Sequence, residues 1–163
     1  MAEIWDLVDE RGNKVGIQWS RSEHSKIPTG LYHPCVEVWV RVGDSLLITR
    51  RHPNKSEGLK YDCPGGAVLS GEDMVDGALR ELYEEVGIVA DRHQLVYLGA
   101  LLGKTAYAAS YMIRLESLPD LHLQESEVVG YKLVGAQELE KMADSLTYGT
   151  YARYGIYKHK LLE

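Results

Sequence analysis

The chain has 163 residues, 45% of them hydrophobic, and carries 24 Asp and Glu against 18 Lys and Arg, for a net charge of −6 and a pI near 5.5. That is material for one domain with a real core, and the acidity argues against a binder of nucleic-acid polymers, which needs a basic surface. No apolar run approaches membrane-spanning length, the charged opening does not read as a signal peptide, and Cys35 and Cys63 are too few for a disulfide framework, so a reduced, cytoplasmic setting is expected.

In chain order, residues 3–19 read as two strands around the turn Asp9–Asn13. The exposed edges of such a hairpin favour pairing across a two-fold axis, and hence a homodimer. Residues 20–33 are polar, carry Pro28 and Gly30, and are expected to form a linking loop. Val36–Val42 alternates as a half-buried strand, and Gly43-Asp44 turns it into a second strand over Ser45–Arg51. Further on, Leu95–Leu102, Thr105–Leu115 and Val128–Val134 read as strands and Ala136–Ala143 as a short helix. Tyr148–Leu162 reads as another helix, weakened by Gly149 and Gly155. Strands mixed with a few helices predict an α/β fold.

The segment between the strands Ser45–Arg51 and Leu95–Leu102 carries the most information. Asp73 is a good helix N-cap with Asp76 three residues on, and Gly87 suits the position just past the C-terminus. Val75, Ala78, Leu79, Leu82 and Val86 recur as one apolar stripe, and Glu81, Glu84 and Glu85 are expected on a different face. Glu81 and Glu85 are like charges at i,i+4, which costs about a few tenths of a kcal/mol. All three glutamates also sit where the helix dipole favours cations. A bound cation resolves both conflicts, and an all-oxygen ligand set points to Mg²⁺ or Mn²⁺. The competing account is a solvated face rich in Glu. Pro64-Gly65-Gly66, ahead of the helix, weighs against it, because such a turn admits a ligand to the backbone and frees a carbonyl for the metal. Arg80 can reach Glu84 at i+4 and hold its orientation.

These residues resemble the Nudix box, G-x5-E-x7-R-E-U-x-E-E-x-G-U with U aliphatic. Gly66, Glu72, Arg80, Glu81, Leu82, Glu84, Glu85, Gly87 and Ile88 meet it at every position. Chance would produce it in on the order of one in ten million chains of this length. The likeness extends to Leu46–Arg51 and Tyr61–Gly66 and spans about Pro34 to Leu139, with Tyr61 standing where the family often has Trp. It implies a Nudix-type α/β/α sandwich with a mixed central sheet and an extra N-terminal β-hairpin. The chain is then a single Nudix domain: hairpin and loop over 1–33, core over 34–145 with the box at 66–88, and a C-terminal helix over 146–163.

The resemblance also implies an activity, Mg²⁺-dependent hydrolysis of a diphosphate linkage in a nucleoside diphosphate derivative or a small organic diphosphate. Glu81, Glu84, Glu85 and the Gly66 carbonyl would hold the metal, with Glu127 or Glu125 as an added acidic ligand. Glu84 or Glu81 would be the general base and Arg80 its orienting partner. Glu72 would brace the junction of loop and helix. Arg50, Arg51, Lys55 and Lys60 are candidates for phosphate oxygens, and Tyr61 and Trp39 for a flat group, although Trp39 also suits the core. The amino-terminal hairpin is similar to that of Nudix proteins described as isopentenyl-diphosphate-isomerase-like. The Cys and His that such isomerases use fall at Gly65 and Ala67 in this chain, and Cys63 is two residues early. His24 and His33 resemble the isomerase's upstream histidines only in kind. An isomerase and a non-catalytic nucleotide-sensing domain are the alternatives to the hydrolase.

Overall fold

The computed structural model describes residues 2–163. Strands β1 (Ile4–Val8) and β2 (Lys14–Ser20) form the expected antiparallel hairpin. Its turn is closed by Asp9, whose Oδ1 accepts from the backbone N–H groups of Arg11 and Asn13, both at 2.9 Å. Where a plain loop was expected, Arg21–Lys26 forms a 3-10 turn. The reason lies just beyond it: Ile27 is buried with Trp5 and Leu7 in a small core under the hairpin, which pulls the connecting residues into a compact turn.

The central sheet is built from β3 (His33–Val42), β4 (Ser45–Arg51), β5 (Tyr61–Asp62), β6 (Gly65–Ala67), β7 (Val96–Leu102), β8 (Ala106–Leu115) and β9 (Val128–Gly135). β8 runs parallel to β3 along its full length, and the other pairings are antiparallel, so the sheet is mixed. β3 and β4 pair only at their tip, Val40–Val42 against Ser45–Leu47. Below the tip they splay, and the segment Tyr61–Ala67 wedges between them, β5 on β4 and β6 on β3. The splay brings Gly65 hard against β3. A Cβ at Gly65 would lie 2.2 Å from the Val36 carbonyl oxygen, so glycine is required there.

Each face of the sheet is covered by a helix. Helix α1 (Met74–Val86) packs Ala78, Leu82 and Val86 on Val36, Val38 and Val40. Helices α2 (Ala136–Lys141) and α3 (Tyr148–Leu162) cover the opposite face, where Trp39, Leu46 and Ile48 meet Leu139, Tyr154, Tyr157 and Leu161. The expected short helix ends two residues early and passes into a 3-10 turn at Ala143–Ser145. α3 forms in spite of Gly149, which lies beneath the Arg153 guanidinium: a Cβ would sit 2.9 Å from Nη1. The fold is thus an α/β sandwich with a mixed sheet between helices and an N-terminal hairpin in front.

The hairpin is not free along both edges. β1 exchanges bonds with its own chain at Tyr32 (both 2.9 Å) and accepts from Ser70 N at 2.8 Å, which leaves only the exposed β2 edge open to another strand.

A buried polar group ties α3 to β3. The Glu37 carboxylate accepts from Trp39 Nε1 at 2.8 Å and Ser110 Oγ at 2.7 Å, and lies 2.7 Å from Arg153 Nε. Removing one member strands the other charge away from water. Arg153→Ala is therefore expected to lower unfolding stability by about 3–5 kcal/mol. The Glu37→Gln, Arg153→Met double variant should lose distinctly less, and urea unfolding of both proteins measures the difference.

Candidate active site

Helix α1 starts as its sequence dictates. Asp73 accepts from Asp76 N at 2.8 Å in a reciprocal capping box, and Gly87 closes the helix at φ 75. Within it, Arg80 is the hub. Its Nε donates to Glu72 Oε1 at 2.6 Å and its Nη2 to Glu72 Oε2 at 3.1 Å and to the Ala67 carbonyl at 2.8 Å. Its Nη1 donates to Glu81 Oε1 at 2.8 Å and Glu84 Oε2 at 3.2 Å. Glu72 in turn accepts from Leu69 N at 2.9 Å, so one guanidinium fixes the turn before the helix and two carboxylates on it.

The glutamates do not share one solvated face. Glu85 is 5% exposed. At about 100° per residue it falls roughly 20° from Ala78, beside the apolar stripe and not away from it. It points at the Pro-Gly-Gly turn, with Gly65 N donating to its Oε2 at 3.3 Å. Burial, with repulsion from Asp62 and Glu81 added, pushes its carboxyl up to about 8. Burial also raises Glu81, against the pull of Arg80. Glu84 is the open one, its side chain 44% exposed.

These groups line a cleft of about 840 Å³. Gly66 faces Glu81 so closely that a Cβ would meet its carboxylate oxygen at 2.5 Å. A glycine backbone against an all-oxygen carboxylate set fits a hard divalent cation. Among the described residues no three His, Cys, Asp or Glu side chains converge closely enough on one point to form a finished metal cage. Arg80 occupies the positive position between Glu81 and Glu84.

Around the carboxylates, Arg51 at the end of β4 and Lys55 in the loop after it enter the cleft. Arg51 Nη1 pairs with Asp62 Oδ2 at 2.6 Å, and Lys55 Nζ pairs with Glu127. Glu127 lies in the cleft while Glu125 is exposed and outside its lining. The loop before β9 is tied to the end of α1, with Gln124 N donating to the Glu85 carbonyl at 3.0 Å and His122 N to that of Val86 at 3.0 Å. Arg50, Lys60 and Tyr61 are not brought to the cleft. Arg50 Nε bonds the Leu59 carbonyl at 3.2 Å, and Lys60 lies 3.9 Å from Glu57. Tyr61 packs on the core beneath α3, with Lys132 Nζ 5.4 Å from its ring centroid. Arg50 alternates with the cleft residue Arg51 on β4, and strand alternation turns it away. Trp39 is fully buried in the core.

The opposite wall was not foreseen. The hairpin and its 3-10 turn contribute Glu3, Trp5, Arg21 and His24, and β3 contributes His33 and Cys35. Trp5 and His33 stack with centroids 4.3 Å apart. Burial, with the nearby His24 and Arg21 charges, holds His33 down to about 4, so it is neutral. Burial pushes the Cys35 thiol up to about 11, and Cys63, buried in the core, is raised as well. Neither is a thiolate at neutral pH. No local pattern marks Glu3 or Trp5 as cleft residues, because contacts with distant positions, such as Arg21 for Glu3 and His33 for Trp5, bring them there.

A mixed sandwich whose wedge loop and helix present a glycine backbone to a row of glutamates defines a Nudix-type hydrolase. The chain belongs to the Nudix family, with the NUDIX domain model matching residues 31–154. It is similar to an uncharacterized Nudix hydrolase of Clostridium acetobutylicum, at 31% identity over 92% of this chain and 78% of the relative. Another in Streptomyces coelicolor is 31% identical over 85% and 77%. Among solved structures, DR0079 from Deinococcus radiodurans superposes with a TM-score of 0.74 at 24% identity, covering 95% of this chain and 99% of that one, a likeness of fold.

The carboxylate shifts give a signed pH dependence. Glu85 is raised from about 4.5 to about 8 in the fold, so its contribution to stability is full below the lower value and is lost as pH rises through the upper one. His33, depressed from 6.5 to about 4, acts oppositely but only below pH 6.5. Between pH 6.5 and 8 the metal-free protein should therefore lose thermal stability. Glu85→Gln should flatten that slope in melting curves recorded with chelator.

Proposed function

We propose that this chain is a Mg²⁺-dependent pyrophosphohydrolase, with Mn²⁺ as a substitute, acting on a nucleoside diphosphate derivative or a small organic diphosphate. The observation that carries the reading is the Arg80 fan, which gathers Glu81 and Glu84 beside Gly66 while Lys55 and Arg51 face them across one cleft. Glu81, Glu85 and the Gly66 carbonyl, joined by Glu127, are the residues that would hold Mg²⁺, with Glu84 kept free beside them as the base. The metal, when bound, supplies charge withdrawal from the diphosphate and a more acidic water.

The chain's own part is positioning and proton transfer. Arg80 holds one oxygen of Glu84 and leaves the rest of this exposed carboxylate free to accept a proton from water. Glu81 is more enclosed and suits ligation. Lys55 and Arg51 orient phosphate oxygens, for which each must loosen its carboxylate partner. Arg50, Lys60 and Tyr61, lying outside the cleft, take no part.

Double-bond migration is disfavoured by the same geometry. Gly65 and Ala67 have no titratable side chain, and the Cys63 thiol is buried in the core. A sensing domain is disfavoured because a binding role gives no reason to keep every box carboxylate, two of them raised by burial. The reading includes a cytoplasmic enzyme, supported by two free cysteines, and a homodimer through the open β2 edge. No helix among the described residues is long and apolar enough to cross a membrane.

The test is a panel of nucleoside triphosphates, nucleotide sugars, dinucleotides and isoprenyl diphosphates, run with Mg²⁺ and with chelator and read by mass. Metal-dependent cleavage of one class is expected, and Glu84→Gln should lower kcat by about 10²–10³-fold with little change in KM. Turnover that survives the substitution would sink Glu84 as the base, and isomerised isopentenyl diphosphate would sink the hydrolase.

A further inference from the structure

The NUDIX domain model matches from residue 31, so the hairpin stands in front of the matched region. It is nonetheless bonded to the turn that opens α1. Ser70 N donates to the Ile4 carbonyl at 2.8 Å. Asp6, in the middle of β1, accepts from Gly71 N at 2.9 Å and from Ser70 Oγ at 2.8 Å. Gln18 Nε2, on β2, donates to the same Ser70 hydroxyl at 2.7 Å. Gly71 lies at φ 89, a backbone region that disfavours any side chain, and this conformation turns its N–H toward Asp6. The next residue along is Glu72, which grips Arg80 through two oxygens, and Arg80 holds Glu81 and Glu84.

We propose that Asp6 is a positioning residue of the active site: through Gly71 and Ser70 it locks the turn that aims Glu72 at Arg80, and so sets the geometry of the metal-facing glutamates. The inference rests on the metal-dependent reading of those glutamates. Within the turn, Glu72 N bonds the Leu69 carbonyl at 3.0 Å and Leu69 N bonds the Glu72 carboxylate at 2.9 Å, so Leu69–Glu72 holds its own shape. Arg80 ties its Glu72 end to α1, and the bonds to Asp6 and the Ile4 carbonyl tie Ser70 and Gly71 to the hairpin. A carboxylate taking two bonds at once is a strong anchor, since charge-assisted bonds are about twice as strong as neutral ones. The Gly71 amide, foremost among its partners, holds the Asp6 carboxyl down at about 2, so the anchor stays ionised through the neutral range. Lys14 also pairs with Asp6, at 3.0 Å, but touches none of the turn. It therefore separates loss of the latch from loss of a surface charge pair.

The experiment uses the full chain and two readouts. Binding of Mn²⁺ alone is followed by the electron paramagnetic resonance of the free ion, and amide hydrogen exchange is followed across residues 68–73. Asp6→Ala is expected to speed exchange in that segment and weaken Mn²⁺ affinity about tenfold. Asp6→Asn, which keeps one acceptor oxygen, should restore part of both, and Lys14→Ala should match the wild type within about twofold. If Asp6→Ala does not fold, Asp6→Asn and Ser70→Ala carry the comparison, each with a loss of about threefold. Exchange and affinity unchanged in Asp6→Ala would overturn the proposal. Wild-type protein that takes up no Mn²⁺ would instead defeat the metal reading, and exchange at 68–73 would then decide the latch alone, faster supporting it and unchanged overturning it.

Discussion

The site depends on one guanidinium. Arg80 makes five hydrogen bonds, four of them to the carboxylates of Glu72, Glu81 and Glu84. Without it, like charges on successive turns of α1 would repel and drift, and the turn before the helix would lose its tie to Ala67. Arginine suits this task because its planar fork offers several donors in fixed directions and stays charged in a half-buried setting. Its own proton is held more tightly still by the glutamates around it. A lysine would supply the charge but could not bridge three carboxylates and a carbonyl.

The second constraint is the opening in the sheet. Because β3 and β4 separate below their tip, the backbone of Gly65 and Gly66 enters the space between them instead of crossing over the surface. That places an amide against Glu85 and a glycine against the Glu81 carboxylate. Glu85 becomes buried and Glu81 partly so, which raises both carboxyls and leaves the metal-free site a proton at Glu85 that a cation would displace. Burial and charge therefore concentrate where the wedge meets α1, while α3 packs on the opposite face through an apolar cluster and the Glu37–Arg153 pair.

The chain closes the cleft with parts that have no common origin in sequence. One wall comes from the box helix and the wedge, another from the end of β4 and the loop after it with Arg51 and Lys55, and a third from the hairpin and its 3-10 turn. Lys55 reaching Glu127 shows how closely the walls approach, since the two residues lie on separate loops joined through β4 and β9. The stacked pair of Trp5 and His33 seals the hairpin end of the cleft with a neutral imidazole and an indole.

Much of this was legible from the residues alone, for a local reason. Helix caps, strand alternation and the spacing of Gly66, Glu72, Arg80, Glu81, Glu84 and Glu85 operate within a few turns of chain, so the sequence by itself determined the α/β architecture, the box helix with both its ends, and the family. Other features are set by contacts between distant segments. The expectation that Glu85 shares a face with Glu81 and Glu84 fails because it lies beside the apolar stripe, where the Pro-Gly-Gly wedge packs on the helix and buries it. Four residues close together in the chain, Arg50, Arg51, Lys55 and Lys60, carry the same charge, yet only the tertiary structure decided that Arg51 and Lys55 face the cleft while the other two bond elsewhere. It likewise decided that Glu127 rather than Glu125 lies in the cleft, and that the N-terminal hairpin reaches the turn ahead of α1. Side-chain direction at those places follows from where a strand or loop is anchored, and the anchors lie tens of residues away, beyond the range of any local pattern.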